Sequence, residues 1–362
     1  MLAILADKPR IAVDMEADSL YHYFEKVCLI QFSSESETFI LDPLVLKNLG
    51  ALAPILANPK IEKVFHASGY DIYCLKRDYG FGFSKIFDTH IAAQIAGYEF
   101  LGLGALLDKL LGIAHSKQRQ KDNWSLRPLN EEQIEYAAMD THYLLQLRDV
   151  LEAQLREQGR LHWAQEEFEA AALNDSHERD FDPEGFRRIK GSRDLPLRNL
   201  AALRAIFLLR DKLARELDAP PFKVMNNSTL LDLASKPPKT QNEMFRRPGI
   251  SNRIARKFGK EILKALAEGQ AQDPSLLKLP PRREWKGHSR ESAARLEDLK
   301  HWRLEKAQQL ELQVGVVFPG SYLEILADTP PASLEEMAQV PGMRCWRVEE
   351  FGKEILTVLH PQ

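Results

Sequence analysis

The second half of the chain contains an internal repeat, which constrains the fold more than any other feature of the sequence. Residues 228–263 align without gaps to residues 321–356, with 16 identities among the 36 aligned positions. Both copies end in FGKEIL and carry a Pro-Gly pair, at Pro248–Gly249 and Pro341–Gly342. Each copy follows a predicted long helix, over 199–217 and 290–312. The chain therefore contains two copies of one helical domain, preceded by a different domain.

The first half of the chain begins with short strands and continues with helices. Runs of β-favouring residues predict strands over 11–13, 27–32, 37–41 and 63–66. Helical apolar spacing predicts helices over 46–57, 70–77, 102–111 and 130–151, with caps at Asp88–Thr89 and Asn130. Gly102 and Gly104 resemble a phosphate loop, but no strand precedes them and no lysine follows. We therefore predict an α/β domain with helices on both faces of a sheet.

The repeat and the linker composition together predict the domain boundaries. The α/β domain with a helical exit segment spans 1–193, the first repeat 194–270, a proline-containing linker 271–289 and the second repeat 290–362. No apolar run approaches the ~18 residues of a membrane span. The three cysteines, Cys28, Cys74 and Cys345, have no paired spacing, which favours a reducing compartment. We expect a cytoplasmic monomer with no membrane contact.

The net charge of −3 conceals one strongly basic segment. Residues 195–270 contain 15 Lys and Arg against 7 Asp and Glu, whereas residues 290–362 contain 8 against 12. Six of these basic residues surround the first Pro-Gly pair: Arg246, Arg247, Arg253, Arg256, Lys257 and Lys260. The segment is a candidate surface for a polyanion. An ordinary solvated helical surface is the alternative.

Acidic residues follow two of the predicted strands and lie on one late helix. Asp14 and Glu16 are two residues apart at the end of a strand, so both side chains point to the same face and repel unless a cation lies between them. Asp71 lies at the start of the helix after the 63–66 strand. Tyr136 and Asp140 are four residues apart on one helix, and therefore on one face. Each feature alone also fits a polar turn, a helix cap or a solvated helix.

Taken together, these residues resemble a known family. The sequences VDMEADS, FHASGYD and EYAAMDTHYLLQL match the three motifs of the DEDD exonuclease family in its tyrosine-bearing branch. Asp88–Thr89 and the segment from Trp124 to Leu129 recur in the ribonuclease D group, and the two repeats resemble the HRDC domain. The resemblance implies a ribonuclease H-like α/β exonuclease domain followed by two all-α HRDC-type domains.

The resemblance also implies the chemistry. Asp14, Glu16, Asp71 and Asp140 would hold two divalent metal ions, and hard oxygen ligands favour Mg²⁺ or Mn²⁺. Tyr136 would orient the attacking water rather than act as a full base, since a phenol has a pKa near 10. The expected reaction is 3′→5′ exoribonucleolytic release of nucleoside 5′-monophosphates. The expected partner is RNA with a single-stranded 3′ end, above all transfer-RNA precursors.

Several residues near these motifs have two interpretations. Trp124 and Arg127 lie on a loop that is predicted to cover the RNA 3′ end, and the six basic residues of the first repeat are predicted to bind RNA. His66 lines the site or is structural, and Tyr21, Tyr23 and Phe24 stack on bases or pack in a core. A 3′→5′ DNA exonuclease and a non-catalytic RNA-binding adaptor are the alternative functions.

Overall fold

The structure is a computed structural model that describes residues 1–46, 48–116, 118–173, 181–273, 277 and 289–361. The first half contains, in chain order, α1 (Leu2–Ala6), β1 (Arg10–Ala17), β2 (Val27–Ser33), β3 (Thr38–Leu41), α2 (Ala53–Leu56), β4 (Glu62–Phe65), α3 (Gly69–Tyr79), β5 (Ile86–Asp88), α4 (Thr89–Ala96), α5 (Leu103–Leu111), α6 (Glu131–His142), α7 (Leu144–Glu157) and α8 (Leu161–Leu173).

The second half is helical throughout its described residues. Its helices are α9 (Leu197–Glu216), α10 (Pro221–Val224), α11 (Asn227–Ser235), α12 (Gln241–Phe245), α13 (Asn252–Ala271), α14 (Arg290–Leu310), α15 (Val314–Val317), α16 (Gly320–Asp328), α17 (Leu334–Ala338) and α18 (Cys345–Leu359). Short 3₁₀ helices lie at Gly50–Leu52, Gly185–Arg188 and Ser192–Asp194. Among the described residues, every helix is too short or too polar to cross a bilayer.

The five strands form one mixed sheet in the order β3-β2-β1-β4-β5. The strands β1, β2 and β3 pair antiparallel, whereas β1, β4 and β5 run parallel. Helices cover both faces of the sheet, which confirms the predicted α/β exonuclease fold. In such sheets, functional sites form at the carboxyl ends of the parallel strands.

Two predicted helices differ from the structure. The helix predicted over 46–57 is reduced to one 3₁₀ turn and the four residues of α2. The helix predicted over 130–151 ends at His142, and α7 begins after Tyr143, whose φ of −103° and ψ of 0° interrupt the helix. The break lets α6 pack on β1, β2 and β3 while α7 packs on α4 and α5.

The described residues form two compact units whose boundaries differ from the predicted domains. One unit contains residues 1–17, 27–173 and 289–361, and the other contains residues 18–26 and 181–273. The second repeat therefore belongs to the same unit as the sheet. The first repeat forms the other unit together with two segments that we assigned to the exonuclease domain. Most of the predicted linker, 271–289, lies outside the described residues.

Residues 18–26 and 181–193 pack on the first repeat through apolar contacts and through hydrogen bonds to acidic side chains. Phe186 is fully buried in its core, and Phe181 stacks on Phe207 of α9 at 5.4 Å between ring centroids. From the 18–26 segment, the Tyr23 hydroxyl donates to Asp211 at 2.6 Å, and the Tyr23 and Phe24 N–H groups donate to Asp218. Residues 181–193 thus complete this core and do not extend the exonuclease domain.

The second repeat packs on α8 through an aromatic contact. The rings of Trp163 and Trp346 stack at 4.6 Å with 14° between their planes, and Phe351 packs edge-on against both. Trp163 also donates from Nε1 to Glu350 at 3.2 Å. The helices α7 and α8 and the second repeat share one hydrophobic core.

Two adjacent glutamates of α8 add polar contacts at the start of α18. The Glu166 carboxylate accepts the N–H groups of Cys345 and Trp346 at 2.7 and 2.9 Å, and so satisfies two free donors of this helix terminus. The Glu167 carboxylate pairs with Arg344 at 3.1 Å and with Arg347 at 2.6 Å. Burial alone would raise the pKa of Glu167, but the two guanidinium groups outweigh it and lower the pKa.

We predict that Glu167→Gln destabilises the unit that contains the second repeat. The substitution leaves Arg347, which is buried, without its ionised partner, and breaking a buried ion pair costs about 3–5 kcal/mol. Differential scanning calorimetry should record a Tm lower by at least ~5 °C. Glu169→Gln, an exposed change on the same helix, should leave Tm unchanged. Equal Tm values for the two variants would contradict the prediction.

Candidate active site

The strand β1 carries Asp14 and Glu16 on one face at its carboxyl end. It lies at the centre of the sheet between β2 and β4, and its apolar residues Ile11 and Val13 are fully buried. In the pairing of β1 with β2, Asp14 lies opposite Gln31 and Glu16 lies opposite Leu29. The pairing is irregular between Glu16 and Ala17. Both carboxylates therefore project from the paired, central strand of the sheet.

The helix α6 brings Tyr136 and Asp140 to the same place. Asn130 and Gln133 form a capping box at its start, in which each side chain accepts from the other residue's N–H. Carboxylate oxygens of Asp14, Glu16 and Asp140 all lie within 4.8 Å of one another. The structure thus joins two of the predicted motifs, which are more than a hundred residues apart in the sequence.

Asp71 lies in the first turn of α3, directly after the turn that follows β4. Asp88 holds this turn, because its carboxylate accepts the N–H groups of Ala67 and Ser68 at 3.0 and 2.8 Å. The same carboxylate caps α4, as predicted. Asp71 is 7% exposed and lies outside the 4.8 Å cluster, although the charge of Asp14 acts on it.

The carboxylates repel one another in a poorly solvated site. Burial raises the pKa of Asp14 well above its usual range, and the charge of Asp140 adds to the rise. Burial and the charge of Asp14 likewise raise the pKa values of Glu16 and Asp71. Burial also raises the pKa of Asp140, but His115 and Tyr136 oppose this effect. A divalent cation would turn the repulsion into attraction, and an all-carboxylate donor set suits Mg²⁺ or Mn²⁺.

Tyr136 has two aromatic neighbours beside the carboxylates. Its ring centroid is 5.5 Å from that of His115 and 6.0 Å from that of Trp124. Burial, followed by the charges of Asp140 and Glu16, raises the pKa of Tyr136. The hydroxyl therefore keeps its proton at neutral pH.

His115 belongs to the site but was missed by the sequence analysis. It lies in the segment between α5 and α6, and its Nε2 atom lies 2.8 Å from Asp140 Oδ1. Its side chain is 5% exposed. No motif or periodicity marked this residue, because only the fold brings the loop to α6.

Trp124 and Arg127, which were predicted to cover the RNA 3′ end, make structural contacts. Trp124 is 1% exposed and packs against Leu29 and Ala137, so its indole has no face open to a base. The Arg127 guanidinium pairs with Asp42 at 2.7 Å and donates to the carbonyl oxygens of Cys28, Trp124 and Leu126. Arg127 thus attaches the loop to the sheet.

The remaining candidates near the motifs differ in exposure. His66 Nδ1 lies 2.9 Å from Thr89 Oγ1, which favours the structural interpretation. Within the first-repeat unit, Tyr23 packs against the core, the Lys223 amine lies 3.9 Å from the centroid of the Tyr21 ring, and Phe24 is 62% exposed.

Five of the six basic residues of the first repeat are exposed: Arg246, Arg253, Arg256, Lys257 and Lys260. Across the described residues, none of these five forms an ion pair. Arg247 differs, because it pairs with Asp232 at 3.3 Å and donates to the Lys236 carbonyl oxygen. We therefore exclude Arg247 from the proposed RNA-binding surface.

Comparisons with known proteins identify the family of this chain. A family profile described as 3′-5′ exonuclease matches residues 1–156, and the HRDC domain profile matches residues 199–266 and 292–359. Ribonuclease D from Acidiphilium cryptum is 31% identical over 362 residues, which cover 97% of this chain and 88% of that relative. The chain belongs to the ribonuclease D family. It is a hydrolytic 3′→5′ exoribonuclease, which confirms the predicted enzyme class.

Solved structures show the same architecture. The catalytic core of RRP6 from Trypanosoma brucei is 31% identical, with a TM-score of 0.68, and the match covers 74% of this chain and 76% of that one. RNase D from Escherichia coli matches with a TM-score of 0.71 over 100% of this chain and 96% of its own, at 23% identity. These matches confirm an exonuclease domain followed by HRDC helical domains in this ribonuclease D family member.

We predict that Asp14→Asn stabilises the metal-free enzyme and inactivates it. A carboxyl group whose pKa is raised by folding stabilises the fold below its ordinary pKa, and this contribution is lost as the pH rises through the folded-state pKa. Replacing Asp14 by an uncharged amide should therefore raise Tm by several degrees at pH 7.5 with chelator, and lower exonuclease activity at least ~10³-fold.

The control is Asp108→Asn, at an exposed position on α5, which should change neither Tm nor activity. The Asp14→Asn variant should also show a weaker loss of Tm between pH 5.5 and 8 than the wild type in chelator. A lower Tm for Asp14→Asn in chelator would mean that repulsion does not dominate this site.

Proposed function

We propose that this enzyme is a metal-dependent 3′→5′ exoribonuclease that trims the 3′ ends of structured RNAs, transfer-RNA precursors above all, and releases nucleoside 5′-monophosphates. The observation that supports the proposal is the cluster of Asp14, Glu16 and Asp140 beside Asp71 and Tyr136. The cytoplasmic location and monomeric state remain predictions.

Asp14, Glu16, Asp71 and Asp140 would hold two divalent cations, Mg²⁺ or Mn²⁺. Bound there, such cations would lower the pKa of the attacking water and neutralise charge on the leaving oxygen. The protonated Tyr136 hydroxyl would hold the water by a hydrogen bond, with its ring beside those of His115 and Trp124. Asp14 and Glu16, on the central strand, would keep the spacing of the site constant during the reaction.

The direct test is a 3′-extended transfer-RNA precursor incubated with Mg²⁺, with Mn²⁺ and with chelator. We expect stepwise shortening that stops at the paired stem, nucleoside 5′-monophosphates as the products, and no activity in chelator. A matched DNA strand should be degraded more slowly. Full activity in chelator, or release of oligonucleotides rather than mononucleotides, would refute the proposal.

Tyr136→Phe tests the role of the phenol. The substitution removes one hydroxyl and keeps the stacked ring, so kcat should fall roughly 10²–10³-fold with little change in KM, as for the loss of one preorganised hydrogen bond. Tyr143→Phe, at the break between α6 and α7, is the matched control and should retain wild-type kcat. Normal turnover by the Tyr136 variant would limit this residue to a packing role.

The exposed basic residues of the first repeat are the proposed RNA-binding surface. Their counterparts in the second repeat include Trp346 at the position of Arg253 and Glu350 at that of Lys257. Both counterparts contact α8, so the second repeat uses this face within the protein. The first repeat would use the same face for phosphates.

Salt dependence measures the number of phosphate contacts. If Arg246, Arg253, Arg256 and Lys257 each meet one phosphate, replacing all four by alanine should flatten the slope of log K against log[salt] by about 3 for single-stranded RNA. Lys353→Ala, the counterpart of Lys260 in the second repeat, should change it by ~0.7 or less. Equal slopes for the wild type and the quadruple variant would mean that this basic segment is an ordinary solvated surface.

A further inference from the structure

His115 contacts both chemical groups that α6 contributes to the active site. Its Nε2 atom lies 2.8 Å from Asp140 Oδ1, and its ring lies nearly parallel to that of Tyr136, with 24° between the planes. Its side chain is almost fully buried. The family motifs account for Asp140 and Tyr136, but they do not include His115.

The direction of the hydrogen bond follows from the chemistry of its partner. Metal binding requires Asp140 in its ionised form, and an ionised carboxylate only accepts hydrogen bonds, so in that form His115 donates from Nε2 to Asp140 Oδ1. This contact restrains the rotation of the carboxylate. Hydrogen bonds to metal-binding side chains orient them in this way, and their loss typically costs 10–100-fold in metal affinity or activity.

The stacking contact restrains Tyr136 as well. Its ring has the imidazole of His115 and the buried indole of Trp124 as neighbours. Aromatic pairs at such centroid separations attract one another beyond the effect of their burial. A phenol packed against both rings has few alternative rotamers, so its hydroxyl stays beside Asp140.

The backbone of His115 is placed by a close contact with α5. A Cβ atom built on Gly104 would lie 2.9 Å from the His115 carbonyl oxygen, a distance that side-chain atoms do not tolerate. This contact explains Gly104, which in the sequence resembled part of a phosphate loop. The close approach to the first turn of α5 thus helps to position the His115 backbone relative to α6.

We propose that His115 is a positioning residue of the exonuclease reaction, which orients the Asp140 carboxylate by a hydrogen bond and the Tyr136 phenol by stacking. The inference deepens the proposed function and rests on its metal site. His115 does not touch the reacting atoms. It acts through two residues that do, and so it couples a metal-binding group to the water-positioning group.

A purely structural role is the competing interpretation, because a buried histidine also fills space. Two substitutions separate the two roles. His115→Leu keeps a similar volume and removes both the donor and the aromatic ring. His115→Gln keeps an amide N–H donor near the position of Nε2 and removes only the ring.

The experiment measures Mn²⁺ affinity by isothermal titration calorimetry, and kcat and KM on a single-stranded RNA. We expect His115→Leu to bind Mn²⁺ 10–100-fold more weakly and to lose kcat ~10²-fold with KM changed less than threefold. His115→Gln should recover Mn²⁺ affinity to within about threefold of the wild type, while kcat stays intermediate. A space-filling role predicts equal Mn²⁺ affinities for all three proteins.

Asp140→Ala is the comparison that keeps the two proposals distinct. If Asp140→Ala retains both Mn²⁺ affinity and activity, the proposed metal site is wrong. If Asp140→Ala loses both while His115→Leu stays within threefold of the wild type, only the positioning role is overturned. Equal weakening of Mn²⁺ binding in His115→Leu and His115→Gln would also overturn it, because the retained donor would then have no effect.

Discussion

Repulsion among carboxylates that are buried or partly buried is the constraint on which the rest of this structure depends. Asp14, Glu16 and Asp140 lie within 4.8 Å of one another, and Asp71 adds a fourth charge. Such a cluster does not assemble through its own interactions, because each group raises the pKa of its neighbours. The surrounding fold must hold it in place against this repulsion.

The supports of the site are ordinary structural interactions placed next to it. The strand β1 is paired on both sides, α6 starts at a capping box, and Asp88 fixes the turn that leads to Asp71. Arg127 attaches the 124–127 loop to β2 and to Asp42, which keeps Trp124 packed behind Tyr136. The stabilising interactions around the site offset the repulsion among its carboxylates, which cations would neutralise. Functional sites commonly depend on their surroundings in this way.

The two HRDC repeats share a fold but differ in what their equivalent faces contact. In the second repeat, the carboxylates of Glu166 and Glu167 from α8 contact the start of α18. In the first repeat, the start of α13 is capped by its own Ser251, and the surrounding cations are exposed. This face contacts the carboxylates of α8 in the second copy. In the first copy, the corresponding basic side chains are exposed. In our proposal, the second copy is structural and the first copy binds RNA.

The sequence by itself determined the parts that depend on local pattern: the repeat, most strands of the sheet, the caps Asp88 and Asn130, and the carboxylate motifs. These follow from periodicity and from residue types that act on their near neighbours. Only the tertiary structure decided that Trp124 is buried, that Arg127 is a structural ion pair, that the second repeat packs on α8, and that His115 reaches Asp140. Each of these depends on a contact between segments distant in sequence, and such contacts leave no periodic signal because packing, rather than local propensity, selects them.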